Sequence, residues 1–103
     1  MSDPLKALKE AGEALAVASG EKVRADHMRT VVLSAIKNQI AQASGAKMSE
    51  QALEREARDT KEYQGAVAAD AAATEAYTRA QCAYHLAKLL GEMHAKHSLD
   101  ERF

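Results

Sequence analysis

Cys82 and His85 are the two side chains of this sequence that could cooperate in nucleophilic catalysis. They lie three residues apart, so one helical turn would bring them to the same side of a helix. An activated cysteine also needs a substrate pocket and donors for an oxyanion, and no motif in the chain supplies them. We therefore predict no catalytic residue, and we expect Cys82 to be a small packing residue. A single cysteine excludes an internal disulfide and suits a reducing compartment.

A second group of potentially reactive side chains lies near the end of the chain. His94 and His97 can face one direction on a helix, with His85 and Glu92 close by in sequence. Two such ligands do not make a metal site, and no cysteine or further histidine stands at zinc-site spacing. The five glycines occur singly, so no phosphate-binding loop is present. We predict no metal, no cofactor and no enzymatic activity.

Tyrosine and alanine repeat every seven residues in the second half of the chain. Tyr63, Tyr77 and Tyr84 fall on one line, and Ala66, Ala73 and Ala80 fall on the line three residues further. A seven-residue repeat keeps one seam turned toward a partner helix, and small side chains let the two backbones approach closely. The partner is a helix of the same chain in an antiparallel hairpin or a helix of another subunit. We assign these six residues to oligomerisation; a sharper alternative makes the tyrosines, with Arg79, a stacking platform for single-stranded bases.

Positive charge is concentrated in the first half of the chain. Between Lys22 and Lys47 there are five basic residues and one acidic residue, although the whole chain carries a formal charge of −1. Phosphate contacts need only accessible positive side chains, and an oligomer would repeat a weak patch about its symmetry axis. If the chain binds single-stranded DNA, the predicted phosphate contacts are Lys22, Arg24, Arg29 and Lys37. The alternative is an ordinary solvated helix face.

The elements that position these residues are helices. Pro occurs once, at the first turn of a predicted helix, and no stretch alternates like a strand. The pattern predicts a long helix over about 3–43, which we expect to continue through Gly20, a short helix over 49–58 and a long helix over about 60–97. Ser2 or Asp3, Ser49, and Asp59 or Thr60 can cap these three helices, and Gly45 can terminate the first one. The expected fold is an all-α helical hairpin that assembles as an alanine-rich, coiled-coil-like oligomer.

Length and composition agree with one small domain. The 103 residues contain only 4% aromatic residues, so partner chains could supply apolar contact area that a monomer lacks. We expect a single helical domain over 1–103, with 98–103 as a flexible tail. No apolar run has the roughly 20 residues that a bilayer requires, and the first residues lack a signal-peptide pattern. A cytoplasmic location is therefore expected.

The stretch SEQALEREARDTKEYQGAV at 49–67 carries a family resemblance. Together with the alanine-rich helix around Tyr77 and Arg79 and the final LAKLLGEMHAKH, it resembles short helical bacteriophage recombination-accessory proteins, which are often likened to the UvsY recombination mediator. The resemblance spans roughly 20–97, and histidines stand in the last helix where such proteins tend to show arginine. It implies an oligomeric accessory protein in the host cytoplasm that binds single-stranded DNA and helps to load a recombinase.

Two other classes of function fit the same sequence. A protein-interaction adaptor or phage-encoded inhibitor of a host protein would need no nucleic-acid affinity, and its methionines and tyrosines would suit a binding surface. A structural role in virion assembly is the third possibility. The expected partners are therefore further copies of this chain and possibly single-stranded DNA with a recombinase or annealing protein. Neither a membrane nor a small-molecule substrate is expected.

Overall fold

The computed structural model is all-α, with two long helices joined by a short one. It describes the backbone of residues 3–45 and 47–102 and the side chains of those residues as far as Lys96. Helix α1 spans Pro4–Ser44, α2 spans Glu50–Arg58 and α3 spans Lys61–Arg102. The described residues contain no strand. The predicted helical hairpin with a short connecting helix is therefore confirmed.

Each helix starts where a side-chain oxygen replaces a missing backbone partner. The Asp3 carboxylate accepts a hydrogen bond from the Leu5 amide at 3.0 Å, and the Ser49 hydroxyl accepts one from the Ala52 amide at 3.1 Å. Thr60, not Asp59, caps α3, because its hydroxyl accepts from the Tyr63 amide at 3.2 Å. These contacts satisfy amide donors that the first helical turn leaves without partners.

Helix α1 ends at the glycine that the sequence indicated. Gly45 has a φ of +63°, the left-handed conformation that glycine adopts without steric cost. The same helix runs without interruption through Gly20, as expected. Helix α3 differs from the prediction, because it continues to Arg102 and does not end near residue 97. The expected flexible tail over 98–103 lies outside the side chains that the structure describes.

The chain divides into two units. Unit 1 comprises Met1–Gly20 and Glu75–Phe103, and unit 2 comprises Glu21–Thr74. In unit 2, the second part of α1 packs against α2 and the beginning of α3. In unit 1, the first part of α1 packs against the rest of α3.

An apolar cluster with residues from all three helices lies in unit 2. Its buried residues are Ile36, Ala57 and Tyr63, one from each helix, and Val32, Leu33, Ile40 and Val67 pack around them. Ala57 is completely buried, and Ala52 and Leu53 are half-buried beside it. These three residues form the inward face of α2. Because α2 adds a third element to the helix pair, this unit can enclose a tyrosine ring.

Candidate functional site

The tyrosine line of α3 is covered within the chain. In unit 2, Tyr63 is buried, and Ala66 and Ala73 are half-buried. The ring of Tyr63 contacts the apolar cluster on one side, and the Arg58 guanidinium lies over it, with 5.7 Å between Cζ and the ring centroid. A buried ring is not available for base stacking, so packing is the better interpretation of Tyr63.

The same line continues in unit 1 as half-buried residues. Tyr77, Ala80 and Tyr84 all belong to this class. Tyr84 faces α1 at Gly12, where a methyl group would come within 3.7 Å of the tyrosine Cε2. Gln81 donates a hydrogen bond to the Tyr77 hydroxyl at 3.0 Å. All six residues assigned to oligomerisation are thus buried or half-buried within the single chain, and their role between chains stays a prediction.

The row six residues beyond the tyrosines behaves differently. Ala69, Ala76 and Ala83 are exposed, as is Leu90 at the end of this row. The seam thus consists of the tyrosine row and the alanine row three residues further, which is the arrangement of first and fourth positions in a seven-residue repeat. These two rows are buried or half-buried at the positions assigned to the seam, and Val67 beside them packs against the cluster that contains Ile36 of α1.

The four predicted DNA-binding residues do not form one open patch. With about 100° between successive helical residues, Lys22, Arg29 and Lys37 lie beside the face of α1 that carries buried Ile36, whereas Arg24 lies on the far side. Lys22 and Lys37 are half-buried, and Arg24 and Arg29 are exposed. DNA binding by these residues stays a prediction.

Two of these basic residues form ion pairs with other helices of unit 2. Arg29 Nη1 lies 3.3 Å from Asp70 Oδ2, and the Lys37 ammonium is paired with Glu50. Asp70 is 8% exposed and stands on the tyrosine line of α3, so Arg29 neutralises a charge that would otherwise be buried in the seam. A DNA phosphate would have to compete with both carboxylates.

The exposed surface of α2 carries a third pair, Glu54 and Arg58. Arg58 Nη2 donates to Glu54 Oε1 at 2.8 Å, four residues apart on the same helix. This hydrogen bond, with the positive charge of Arg58, lowers the pKa of the Glu54 carboxyl below its ordinary value. The same hydrogen bond raises the pKa of Arg58. The pair fixes the guanidinium that covers Tyr63.

The side chains of Cys82 and His85 lie on the exposed surface of α3. Cys82 is exposed, so our expectation that it packs in the interior is wrong. It lies on α3 away from the tyrosine line, on the exposed side of the helix. The His85 ring makes an edge contact with Tyr84, with 6.2 Å between the ring centroids. Among the residues with described side chains, no three histidine, cysteine or acidic groups come close enough to hold a metal ion.

A stripe of large apolar side chains lies on the outward side of α3 in unit 1, and the sequence analysis missed it. Leu86, Leu89, Leu90 and Met93 are 58%, 57%, 53% and 65% exposed. They repeat at i, i+3, i+4 and i+7, so they fall within an arc of about 100° on the helix. The tyrosine seam lies nearly opposite on the same helix. We call these four residues the outer stripe. Their helical spacing could have revealed this face from the sequence, but our interpretation followed the seven-residue tyrosine repeat, which lies on the opposite face of α3.

An apolar groove adjoins the outer stripe within unit 1. It has a volume of about 230 Å³ and lies between Pro4 and Ala7 of α1 and Ala83, Leu86, Ala87 and Leu90 of α3. Leu86 and Leu90 therefore belong to both features. All six lining residues have apolar side chains, which favours an apolar group over a polar ligand.

Within the described part of the chain, no helix has the length and apolar character needed to cross a bilayer. No protein-family model matches the sequence, and neither a curated protein nor a solved structure is significantly similar to it. The physical features of the two units therefore carry the functional argument.

Proposed function

We propose that this protein is a non-enzymatic helical accessory protein that acts by binding protein chains through the outer stripe of α3. The observation that carries this proposal is the exposure of four large apolar side chains on one helical face. Leaving such a face exposed to water is unfavourable, since burying one leucine or methionine contributes roughly 1.5–3 kcal/mol. Contiguous exposed apolar patches are typical of interaction sites.

The chemistry of the outer stripe favours a protein over a nucleic acid as its partner. Its four members offer no positive charge and no aromatic ring, which are the groups that hold phosphates and unstacked bases. An apolar face repeating at i, i+3, i+4 and i+7 is instead the kind that packs against another helix. The resemblance to phage recombination-accessory proteins makes a recombinase or an annealing protein the candidate partner.

Affinity capture with matched variants tests this proposal. A Leu86→Glu/Leu89→Glu variant should lose a stoichiometric protein partner that the wild-type chain retains after nuclease treatment. Val23→Glu is the control, because Val23 is 66% exposed and lies outside the stripe. Equal capture by all three proteins would contradict a binding role for the outer stripe.

Single-stranded DNA binding is the second candidate function. It is motivated by the excess of basic residues between Lys22 and Lys47 and by the exposure of Arg24 on the outward side of α1. DNA binding by Arg29 and Lys37 is opposed by the carboxylates that already pair with them. Binding would depend on salt, because each neutralised phosphate of a single strand contributes a slope of about 0.7 to the salt dependence.

Releasing one of the engaged cations provides a sharp test of DNA binding. Glu50→Gln removes the exposed partner of Lys37 and should tighten binding of labelled single-stranded DNA at low salt. Arg24→Ala should weaken binding, whereas Lys9→Ala, an exposed change outside the basic segment, should leave it unaltered. Absence of binding at low salt, or binding indifferent to salt, would rule out this second function.

A further inference from the structure

We propose that the ion pair between Arg29 and Asp70 sets the alignment of α1 against α3 in unit 2, and that it contributes conformational specificity and not stability. Among the described residues, Asp70 is the one charged residue that is buried, and its carboxylate lies 3.3 Å from the Arg29 guanidinium. Taking a charged pair out of water costs about as much free energy as the attraction within the pair returns. The pair lies in unit 2, so its role is independent of the outer stripe in unit 1.

The seam on its own discriminates poorly between alignments. Tyr63 and Tyr77 stand seven residues to either side of Asp70, and alanine recurs at 66 and 73. A shift of α3 by seven residues, about 10.5 Å along its axis, therefore brings alanine to the same place again and puts tyrosine in the place of Asp70. A single polar residue within such a repeat can specify the register of paired helices at a cost in stability.

The face of α1 around Arg29 offers Asp70 no counterion one helical turn away. Ala25 lies one turn earlier, and Val32 and Leu33 lie one turn later; all three are half-buried. A carboxylate opposite any of these side chains would be buried without a counterion, which is strongly unfavourable. Arg29 itself keeps 44% of its side chain exposed, so its guanidinium reaches Asp70 while it remains partly hydrated.

A shift by a full repeat would place Asp70 opposite Ile36 or opposite Lys22. Ile36 is buried and apolar, so it cannot neutralise a carboxylate. Lys22 is half-buried and carries the required charge, but this shift would remove Tyr63 from the cluster that it forms with Ile36. The observed alignment both neutralises Asp70 and buries Tyr63.

Paired substitution separates specificity from stability. Arg29→Leu/Asp70→Leu removes both charges and should melt at or above the wild-type temperature, as followed by circular dichroism. Arg29→Leu alone leaves the carboxylate without its counterion and should lower the melting temperature by about 5–10 °C. A double variant that is markedly less stable than the wild type, or that does not fold, would overturn the proposal, because the pair would then stabilise the fold.

Distances between spin labels, measured by pulsed electron paramagnetic resonance, report the alignment. Suitable sites are Asn38→Cys on α1 and Ala72→Cys on α3, both exposed, in a Cys82→Ser background and diluted with unlabelled chain. Asn38 lies nine residues beyond Arg29, whereas Ala72 lies two residues beyond Asp70, so the labels are offset along the helix axes. A shift by seven residues then changes their separation by up to about 10 Å.

The distance distributions should differ between the charged and the uncharged seam. The wild type and Arg29→Lys, which keeps a cation, should each give one narrow distribution. Arg29→Leu/Asp70→Leu should give a broad or multiple distribution. A single narrow distance in that variant would overturn the proposal, because α2 and its connections would then suffice to align the long helices.

The second ion pair between helices of unit 2 supplies a matched control. Lys37→Leu/Glu50→Leu makes the same chemical change, but Glu50 is exposed and does not lie on the seam. This variant should keep one narrow distance. If it broadens the distribution as much as Arg29→Leu/Asp70→Leu does, the effect is not specific to the buried pair, and the proposed role of Arg29 and Asp70 is wrong.

Discussion

The two units of this chain are built from different parts of the same two long helices, and they differ in how completely they bury apolar side chains. Unit 2 contains the cluster of Ile36, Ala57 and Tyr63 and two ion pairs between its helices. In unit 1, Ala18 is the one apolar residue that is buried among those described, and it is 8% exposed. The difference is due to α2, which covers a tyrosine ring that two helices alone leave half-exposed. Two paired helices each keep an outward face, and in unit 1 that face is apolar.

The largest expected effect separates the two tyrosine environments. Tyr63→Ala should lower the free energy of unfolding by roughly 3 kcal/mol, because it empties the buried site enclosed by three helices. Tyr84→Ala should cost about half as much, since Tyr84 is only half-buried. Urea denaturation of the two variants provides the measurement. Equal losses would contradict the distinction between the units.

The next effect concerns the charge that lies within the seam of unit 2. Asp70→Asn should destabilise the fold by about 1–2 kcal/mol, because Arg29 loses its charged partner while remaining partly solvated. The loss should shrink at high salt, where screening already weakens the pair. Glu75→Gln, at an exposed position in unit 1, is the control and should change stability little. A salt-independent loss would point to packing and not to charge.

Two glycines should respond in opposite directions. Gly45→Ala in unit 2 should cost roughly 1 kcal/mol, because residue 45 has a positive φ that alanine adopts with strain. Gly12→Ala in unit 1 should stabilise the chain by up to about 1 kcal/mol, because alanine favours the helix and its methyl group meets Tyr84 at 3.7 Å, an ordinary contact distance. Thermal unfolding would show both changes. If both variants lost stability, α1 and α3 would have to pack more tightly in unit 1 than the 3.7 Å contact indicates.

The smallest expected effect is the pH response of α2. The pKa of Glu54 is lowered by Arg58, so its contribution to stability is fully present above the ordinary value of 4.5 and is lost as pH falls through the lowered pKa. Titration of the Glu54 carboxyl by NMR should give a lower midpoint than in an Arg58→Gln variant. Identical midpoints would remove the proposed role of the pair in holding the guanidinium over Tyr63.

The local features of the fold could be predicted from the sequence. Ser49 and Gly45 act at helix ends through their own backbone and side-chain chemistry, so their positions were readable without tertiary information. The choice of Thr60 over Asp59 was not readable, because both residues offer a suitable oxygen and only the path of the chain between α2 and α3 decides which one caps. The exposure of Cys82 was missed for a similar reason, since small residues on α3 occur on both its covered and its open faces.

Periodicity in the sequence determined that this protein is helical, where its helices begin and which line of α3 forms a seam, because these properties depend on neighbours within a few residues. Tertiary structure decided what covers that seam and which charges meet. In the folded chain, Tyr63 lies in an apolar cluster and Arg29 pairs with Asp70. The side chains of Leu86, Leu89, Leu90 and Met93 face outward. Such outcomes depend on residues far apart in sequence, since a helical stripe specifies that it must be buried but not by what.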